Sequence, residues 1–307
     1  MNKKLLNKFS IGLSLDISIE EYKQIINKYK DYIHSIYFSP PLNSKFQSRK
    51  SIHEQFENKE NVTKFYEILK LFRNNNILLD CVLNRPSLSS EDIEENIEVL
   101  KKIDPDIITC LKNHIDVVKK NFSNKEIIYS FNNNFEIGDL KYISKKFDTI
   151  VLGKYFLRSP KLIKKVYDSG FKIKLLVNNG CSYNCGGCKN GYENCIETFC
   201  KNLDYHTVNY LYALQSFYPY ELDRLLDNVE VPIDTIKISN RTDEYEYLDK
   251  CLNSYINDLT EDIRFKKISD VRLYSRLSCF NKYFDELNSK EINSIKRRIN
   301  NVWNITI

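Results

Sequence analysis

The chain has 307 residues, 42% hydrophobic and 28% charged, with a formal net charge of +5. That length admits one large domain or two small ones, and so small a net charge excludes the strong basic field of a dedicated nucleic-acid or membrane-surface binder. No stretch approaches the ~18–20 apolar residues of a membrane span, and Lys8 interrupts the opening apolar run before it resembles a signal peptide, so a cytoplasmic protein with no membrane role is expected.

Short β-branched runs alternate with amphipathic stretches along the chain. The first strand is expected at Phe9–Leu15. A helix follows, opened by a capping box in which Ser18 and Glu21 satisfy each other's backbone donors. The second strand is Ile33–Phe38, followed by a long polar loop and a helix near Val62–Phe72. Ile77–Leu83 is the third strand, Ser90–Lys102 a helix, and Ile107–Cys110 the fourth strand. Asn113–Phe122 reads as helix, Glu126–Ser130 as strand, Ile137–Phe147 as helix and Thr149–Gly153 as strand. The next helix has clear punctuation: Ser159 to cap it, Pro160 at its first position and Gly170 at its end. Strand seven is Lys172–Asn178 and strand eight Thr235–Ser239, with a last helix through Asp243–Ile256.

Strict alternation argues for a parallel sheet, and eight β–α units argue for a closed (β/α)8 barrel, a fold of typically ~250 residues. The barrel is expected over residues 1–259, with a cysteine-rich insertion at 179–203 after strand seven. Residues 260–307 are expected to form a helical C-terminal extension packed on it. In such barrels the chemistry sits where strands end and helices begin, and the insertion starts at that face.

Five of the nine cysteines fall between 181 and 200. In a reducing compartment such clustering reads as metal binding rather than as a disulfide framework. The spacing is Cys181-x3-Cys185-x2-Cys188, then Cys195 and Cys200. Gly180, Gly186, Gly187 and Gly191 let the backbone wrap closely, as an iron–sulfur cluster held by thiolates requires. Cys181, Cys185 and Cys188 are three candidate ligands, and the fourth is Cys195 or Cys200. A structural zinc site is the rival, because Cys-Gly-Gly-Cys is also zinc-knuckle spacing.

Basic residues recur just after strands: Arg49, Arg85, Lys154, Arg158 and Arg241. An Arg fork suits carboxylate or phosphate, so Arg49, Arg85, Lys154 and Arg241 are candidate contacts for an anionic substrate. His53 and His114 also follow strands, His34 begins one, and His206 follows the cysteines. Cys81 is expected in the core. Cys110 ends the fourth strand, where it can face either the core or the mouth. Tyrosines crowd residues 205–220, where packing explains amphipathic rings and base stacking is the alternative.

The Cys-x3-Cys-x2-Cys run resembles the signature of radical S-adenosylmethionine enzymes, although it follows strand seven here, and Gly187 stands where that family has an aromatic residue. A resemblance in several separate segments is to the collagenase-like peptidase family. It is carried by Ile36-Tyr-Phe-Ser-Pro-Pro41 with Ser48-Arg49, Phe147-Asp-Thr-Ile-Val-Leu-Gly-Lys154, Leu175-Leu-Val-Asn-Asn-Gly-Cys181 with Cys185, and Ile236-Lys-Ile-Ser-Asn-Arg241. Asn240 stands where that family has Gly. The resemblance implies a barrel, and in one branch a four-cysteine [4Fe–4S] centre that assists oxygen-independent hydroxylation of RNA bases or ubiquinone precursors. No His-Glu-x-x-His or Gly-x-Ser-x-Gly motif supports peptidase chemistry. The expectation is an iron–sulfur protein that modifies, for example hydroxylates, an anionic metabolite or nucleic-acid base, with a reductase or other partner protein. The alternatives are a radical S-adenosylmethionine enzyme and a zinc-stabilised binding module without catalysis.

Overall fold

The computed structural model describes residues 2–47, 50–85, 87–130, 140–152, 160–178, 219–239 and 244–257. In chain order these form β1 (Phe9–Gly12), α1 (Ile19–Tyr29), β2 (Ile33–Phe38), α2 (Lys50–Phe56), α3 (Lys59–Asn74), β3 (Leu78–Leu83), α4 (Ser90–Glu95), α5 (Ile97–Ile103), β4 (Ile107–Cys110), α6 (Ile115–Asn121), β5 (Glu126–Ser130), α7 (Leu140–Ile143), β6 (Thr149–Leu152), α8 (Pro160–Asp168), β7 (Lys172–Leu176), α9 (Pro219–Asn228), β8 (Thr235–Lys237) and α10 (Tyr245–Asn257). The eight strands pair in sequence order, all parallel, and β8 closes onto β1. The fold is a (β/α)8 barrel. The C-terminal extension at 260–307 and the insertion at 179–203 lie outside the described residues.

Local signals explain the boundaries. The Ser18 hydroxyl accepts from the Glu21 N–H and the Glu21 carboxylate accepts from the Ser18 N–H, so both orphan donors are satisfied at the start of α1. Gly170 turns the chain from α8 into β7 at φ +103°, a conformation that costs other residues strain. The expected helix over Ser90–Lys102 is instead two helices broken at Asn96, whose side-chain amide donates to the Asp92 carbonyl. The long polar loop after β2 contains α2, whose seven residues are too few to show a helical period.

Each strand is buried on both faces. Residues such as Ile11, Ile36, Leu79, Ile108, Ile150, Leu175 and Ile236 join the apolar layer between sheet and helices. The alternate residues point into the barrel. The pairings climb steadily round the barrel, so residues at one height come from alternate strands. Ser10, Asp80, Ile128 and Lys174, from the odd strands, form one level. Tyr37, Thr109, Val151 and Lys237, from the even strands, form the level above it. Branched aliphatic side chains dominate these levels in most such barrels; here the two levels hold an aspartate and two lysines.

The N-terminal face carries a repeated clamp. Asp106, Asp148 and Asp234 each precede an even strand, and each donates its N–H to a residue of the preceding odd strand while its carboxylate accepts that same residue's N–H. The partners are Leu79 at 3.0 and 2.9 Å, Ile127 at 3.0 and 2.9 Å, and Ile173 at 2.9 and 2.8 Å. The clamp fixes register at the foot of three strand pairs. Replacing any one aspartate with Ala is expected to cost ~1.5–3 kcal/mol, the worth of a charged hydrogen bond. Pairs of such substitutions should add to within about 0.5 kcal/mol, because the clamps share no partner. Urea unfolding of the single and double variants checks both expectations.

Candidate functional site

The interior is organised by one ion pair. Lys174 of β7 and Asp80 of β3 stand on opposite walls, and their charged atoms meet 2.7 Å apart with essentially no solvent exposure. Thr109 of β4 donates to the other Asp80 oxygen at 2.7 Å. One level up, the Lys237 ammonium sits 4.0 Å from the centroid of the Tyr37 ring, and the Tyr37 hydroxyl donates to the Ile238 carbonyl at 2.8 Å. Neither lysine was singled out from the sequence. The signal that could have found Lys237 is its place between two apolar neighbours, Ile236 and Ile238, in a strand buried on both sides.

The C-terminal mouth is tied together in two groups. On one side, Arg85 Nη1 donates to the carbonyls of Ser44 and Gln47, bracing the loop after β2. Lys45 reaches Asp92 at 2.6 Å, and with Ser89 it holds that carboxyl at about 2, below the usual range. Ser90 donates to the Asn113 carbonyl, which joins α4 to the loop after β4. On the other side, Asn178 follows β7 and makes three hydrogen bonds. Its Oδ1 accepts from the Ser239 N–H at 2.6 Å, and its Nδ2 donates to the Ser239 carbonyl at 3.1 Å and to the Tyr247 hydroxyl at 2.8 Å. The ends of β7, β8 and the start of α10 are thus fixed to one another.

Of the residues expected at the site, Arg85 is the one the structure describes, and its observed contacts hold a loop. Arg49, Lys154, Arg158, Arg241, His206 and the thiols Cys181, Cys185, Cys188, Cys195 and Cys200 lie outside the described residues, as do the tyrosines from 205 to 218. Cys81, Cys110 and Cys251 are buried. Thr109 points inward to Asp80, so its neighbour Cys110 points outward into the sheet–helix core, where burial pushes its thiol well above the usual range. Cys110 therefore does not face the mouth, and Cys81 packs in the same core. Among the described residues no three His, Cys, Asp or Glu side chains come together as a metal site, and no helix is long and apolar enough to cross a membrane.

Four buried side-chain atoms among the described residues have no hydrogen-bond partner: Gln47 Oε1, His53 Nδ1 and both nitrogens of His114. All belong to segments that follow β2 or β4. An open groove of about 500 Å³ lies at the opposite face, along Lys125, Glu126, Asp148 and Lys172. Its charged groups already serve the fold: Lys125 pairs with Asp104, Glu126 accepts from Thr149, and Asp148 is a register clamp.

No family model and no curated protein matches the chain. Similar solved structures include mutant tryptophan synthase α-subunits from the hyperthermophile Pyrococcus furiosus. One is 10% identical over 89% of this chain and 96% of that one, with a TM-score of 0.47. Another is 10% identical over 82% and 98%, with a TM-score of 0.48. The likeness concerns the fold alone.

Two outcomes follow from these contacts. Asp80→Leu or Lys174→Met alone leaves a buried charge without its partner and is expected to cost ~3–5 kcal/mol, whereas the double variant should recover most of that loss. Equilibrium unfolding of the three variants measures it. His114 has a lowered pKa because burial disfavours its charged form, against a smaller upward pull from Asp92 and Glu91. The unfolded chain takes up a proton below about pH 6.5 while native His114 resists it, so stability present above that pH is lost as pH falls through the folded value. His114→Leu should raise stability near neutral pH by about 1 kcal/mol and flatten the acid-side loss. A residual slope from His34, also lowered mainly by burial, should persist in unfolding measured from about pH 7.5 to 5.

Proposed function

We propose that the chain is a cytoplasmic iron–sulfur barrel protein that modifies an anionic metabolite or nucleic-acid base. The observation that carries the reading is the fixed end of β7. Asn178 is held there by Ser239 and Tyr247, and Cys181 is the third residue after it. The C-terminal face is where barrels of this type do chemistry, so the thiol-rich segment begins at a rigid point of that face. The described cysteines do not compete as ligands, because all three are buried and two of them pack behind the strands.

The donor set suits the group. Closely spaced thiolates select iron–sulfur clusters or zinc, and the reading assigns a [4Fe–4S] cluster to Cys181, Cys185 and Cys188 with Cys195 or Cys200. When bound, the cluster supplies one-electron chemistry, which requires a reductase or another electron-donating partner. Arg49, Lys154 and Arg241 are the proposed substrate contacts, with Arg85 bracing the loop that leads to Arg49.

Anaerobic purification followed by iron, sulfide and zinc determination tests the reading. About four iron and four sulfide per chain are expected, with Cys185→Ser losing both while far-UV circular dichroism stays unchanged. Full iron and sulfide in that variant would overturn the ligand assignment. Zinc in place of iron would establish the structural-site alternative, and formation of 5′-deoxyadenosine under reducing conditions the radical one.

A further inference from the structure

We infer that the outer face of α6, α7 and α8 is a docking surface for single-stranded RNA. The case starts from where the charge lies. Residues 112–170 hold 12 Lys or Arg and 6 Asp or Glu, out of 46 and 41 in the chain, so the remainder is one charge on the acidic side. The whole positive excess therefore falls in one stretch. A small net charge overall conceals a basic sector, the footprint of a polyanionic partner.

The fold gathers the described part of that stretch on one side. β4 to β7 are neighbours in the barrel, so the helices that connect them, α6, α7 and α8, stand side by side. Lys146, just beyond α7, pairs with Asp116 of α6 at 3.2 Å, and Ser144 and Gly170 line one groove at the ends of α7 and α8. Three lysines of the sector are matched by acids: Lys120 by Glu94, Lys146 by Asp116 and Lys164 by Asp168. Lys119, Lys141, Lys145 and Lys165 are exposed and form no ion pair among the described residues.

Aromatic rings stand among these charges. Tyr142 of α7 is 58% exposed and Tyr167 of α8 37%, two of the four exposed large hydrophobic side chains among the described residues. The ammonium groups of Lys112 and Lys146 lie 6.0 and 5.7 Å from the centroid of the Tyr142 ring. A base that stacks on this ring carries its phosphates into positive charge. Stacking needs unpaired bases, which selects a single strand over a duplex. At the foot of the helices the open groove presents Ser144, Glu126 and Asp148. Each carboxylate has one oxygen engaged within the fold, and a carboxylate accepts at both. Such acceptors repel phosphate but suit the 2′-OH of ribose, which favours RNA over DNA. A membrane surface calls for an apolar helix face beside the lysines, and the exposed large side chains here are tyrosines. The surface deepens the function proposed above, resting on its nucleic-acid branch and not on its metal branch.

The test titrates full-length protein into a fluorescein-labelled, mixed-sequence RNA strand of about 16 nucleotides, the upper range of single-strand site sizes, and reads anisotropy at several salt concentrations. Saturable binding is expected, with log affinity falling linearly against log salt. Lys141→Ala combined with Lys145→Ala should weaken binding and reduce the magnitude of that slope by about 1.4, the loss of two phosphate contacts on a single strand. Tyr142→Ala should weaken binding roughly five- to hundredfold, and Tyr142→Phe should retain it. Lys23→Ala combined with Lys70→Ala, exposed positions on α1 and α3, should bind as the parent does. Absence of saturable binding by the parent would overturn the proposal. So would equal losses in the two lysine pairs, the same strand bound as tightly when duplexed or made of DNA, or capture by phosphatidylserine vesicles without RNA binding. Cys185→Ser should keep the RNA binding, and the Lys141, Lys145 pair variant should keep the parent's iron and sulfide, so the surface and the metal reading fail separately.

Discussion

The barrel interior depends on the pairing of Lys174 with Asp80. An isolated ion moved from water into a protein interior carries an effective penalty of several kcal/mol, and both groups here are removed from solvent altogether. They are tolerable because they meet across the axis at 2.7 Å and because Thr109 satisfies the remaining carboxylate oxygen. The surrounding residue sizes follow from this. A lysine stem that spans the lumen occupies volume that branched aliphatic residues fill in most such barrels. Ser10 shares the level of the pair, and Ser35, Thr149 and Thr235 line the level beneath. Ser35 donates to Ser10 at 2.9 Å and Thr149 donates to Glu126, so these hydroxyls stay partnered.

The two ends of the barrel are built for different work. At the N-terminal face, aspartates secure register and the polar groups are engaged in holding strands to one another. At the C-terminal face, the described hydrogen bonds join loops to one another and the ends of β7 and β8, and the four buried unpartnered atoms among the described residues sit on segments that follow β2 or β4. Such atoms cost stability wherever they occur. Among the described residues they fall at one end, in accord with the rule that barrel loops at this face carry function and the opposite face carries stability.

Much of the fold was legible because the strands announce themselves. Ile33–Phe38, Ile107–Cys110 and Glu126–Ser130 are dense in β-branched or aromatic residues and have the bounds the sequence suggests. The capping box at Ser18 and the turn at Gly170 are local chemistry and need no tertiary context. The interior was not legible. Both faces of a barrel strand are buried, so the period-two contrast that separates inside from outside disappears. Lys172 and Lys174 lie on the same side of β7, yet the first is exposed and the second buried. Only the climb of the register shows that Lys174 lies level with an aspartate 94 residues earlier. The clamps did leave a trace, since Asp106-Ile-Ile, Asp148-Thr-Ile and Asp234-Thr-Ile repeat one short pattern at the foot of even strands.

Strand order decides how the proposed cysteine segment meets the charged interior. Metal-binding cysteines must be thiolates, and fixed positive charge favours that state. The cysteine segment leaves β7, and the neighbouring strand β8 carries Lys237, whose backbone pairs with Leu176, five residues before Cys181. The Asp80–Lys174 pair beneath contributes almost no net charge, so the described interior at that level leaves the field at the mouth to the residues above it. The proposed thiolate segment therefore leaves the barrel on a strand whose interior lysine, Lys174, is neutralised across the axis by Asp80.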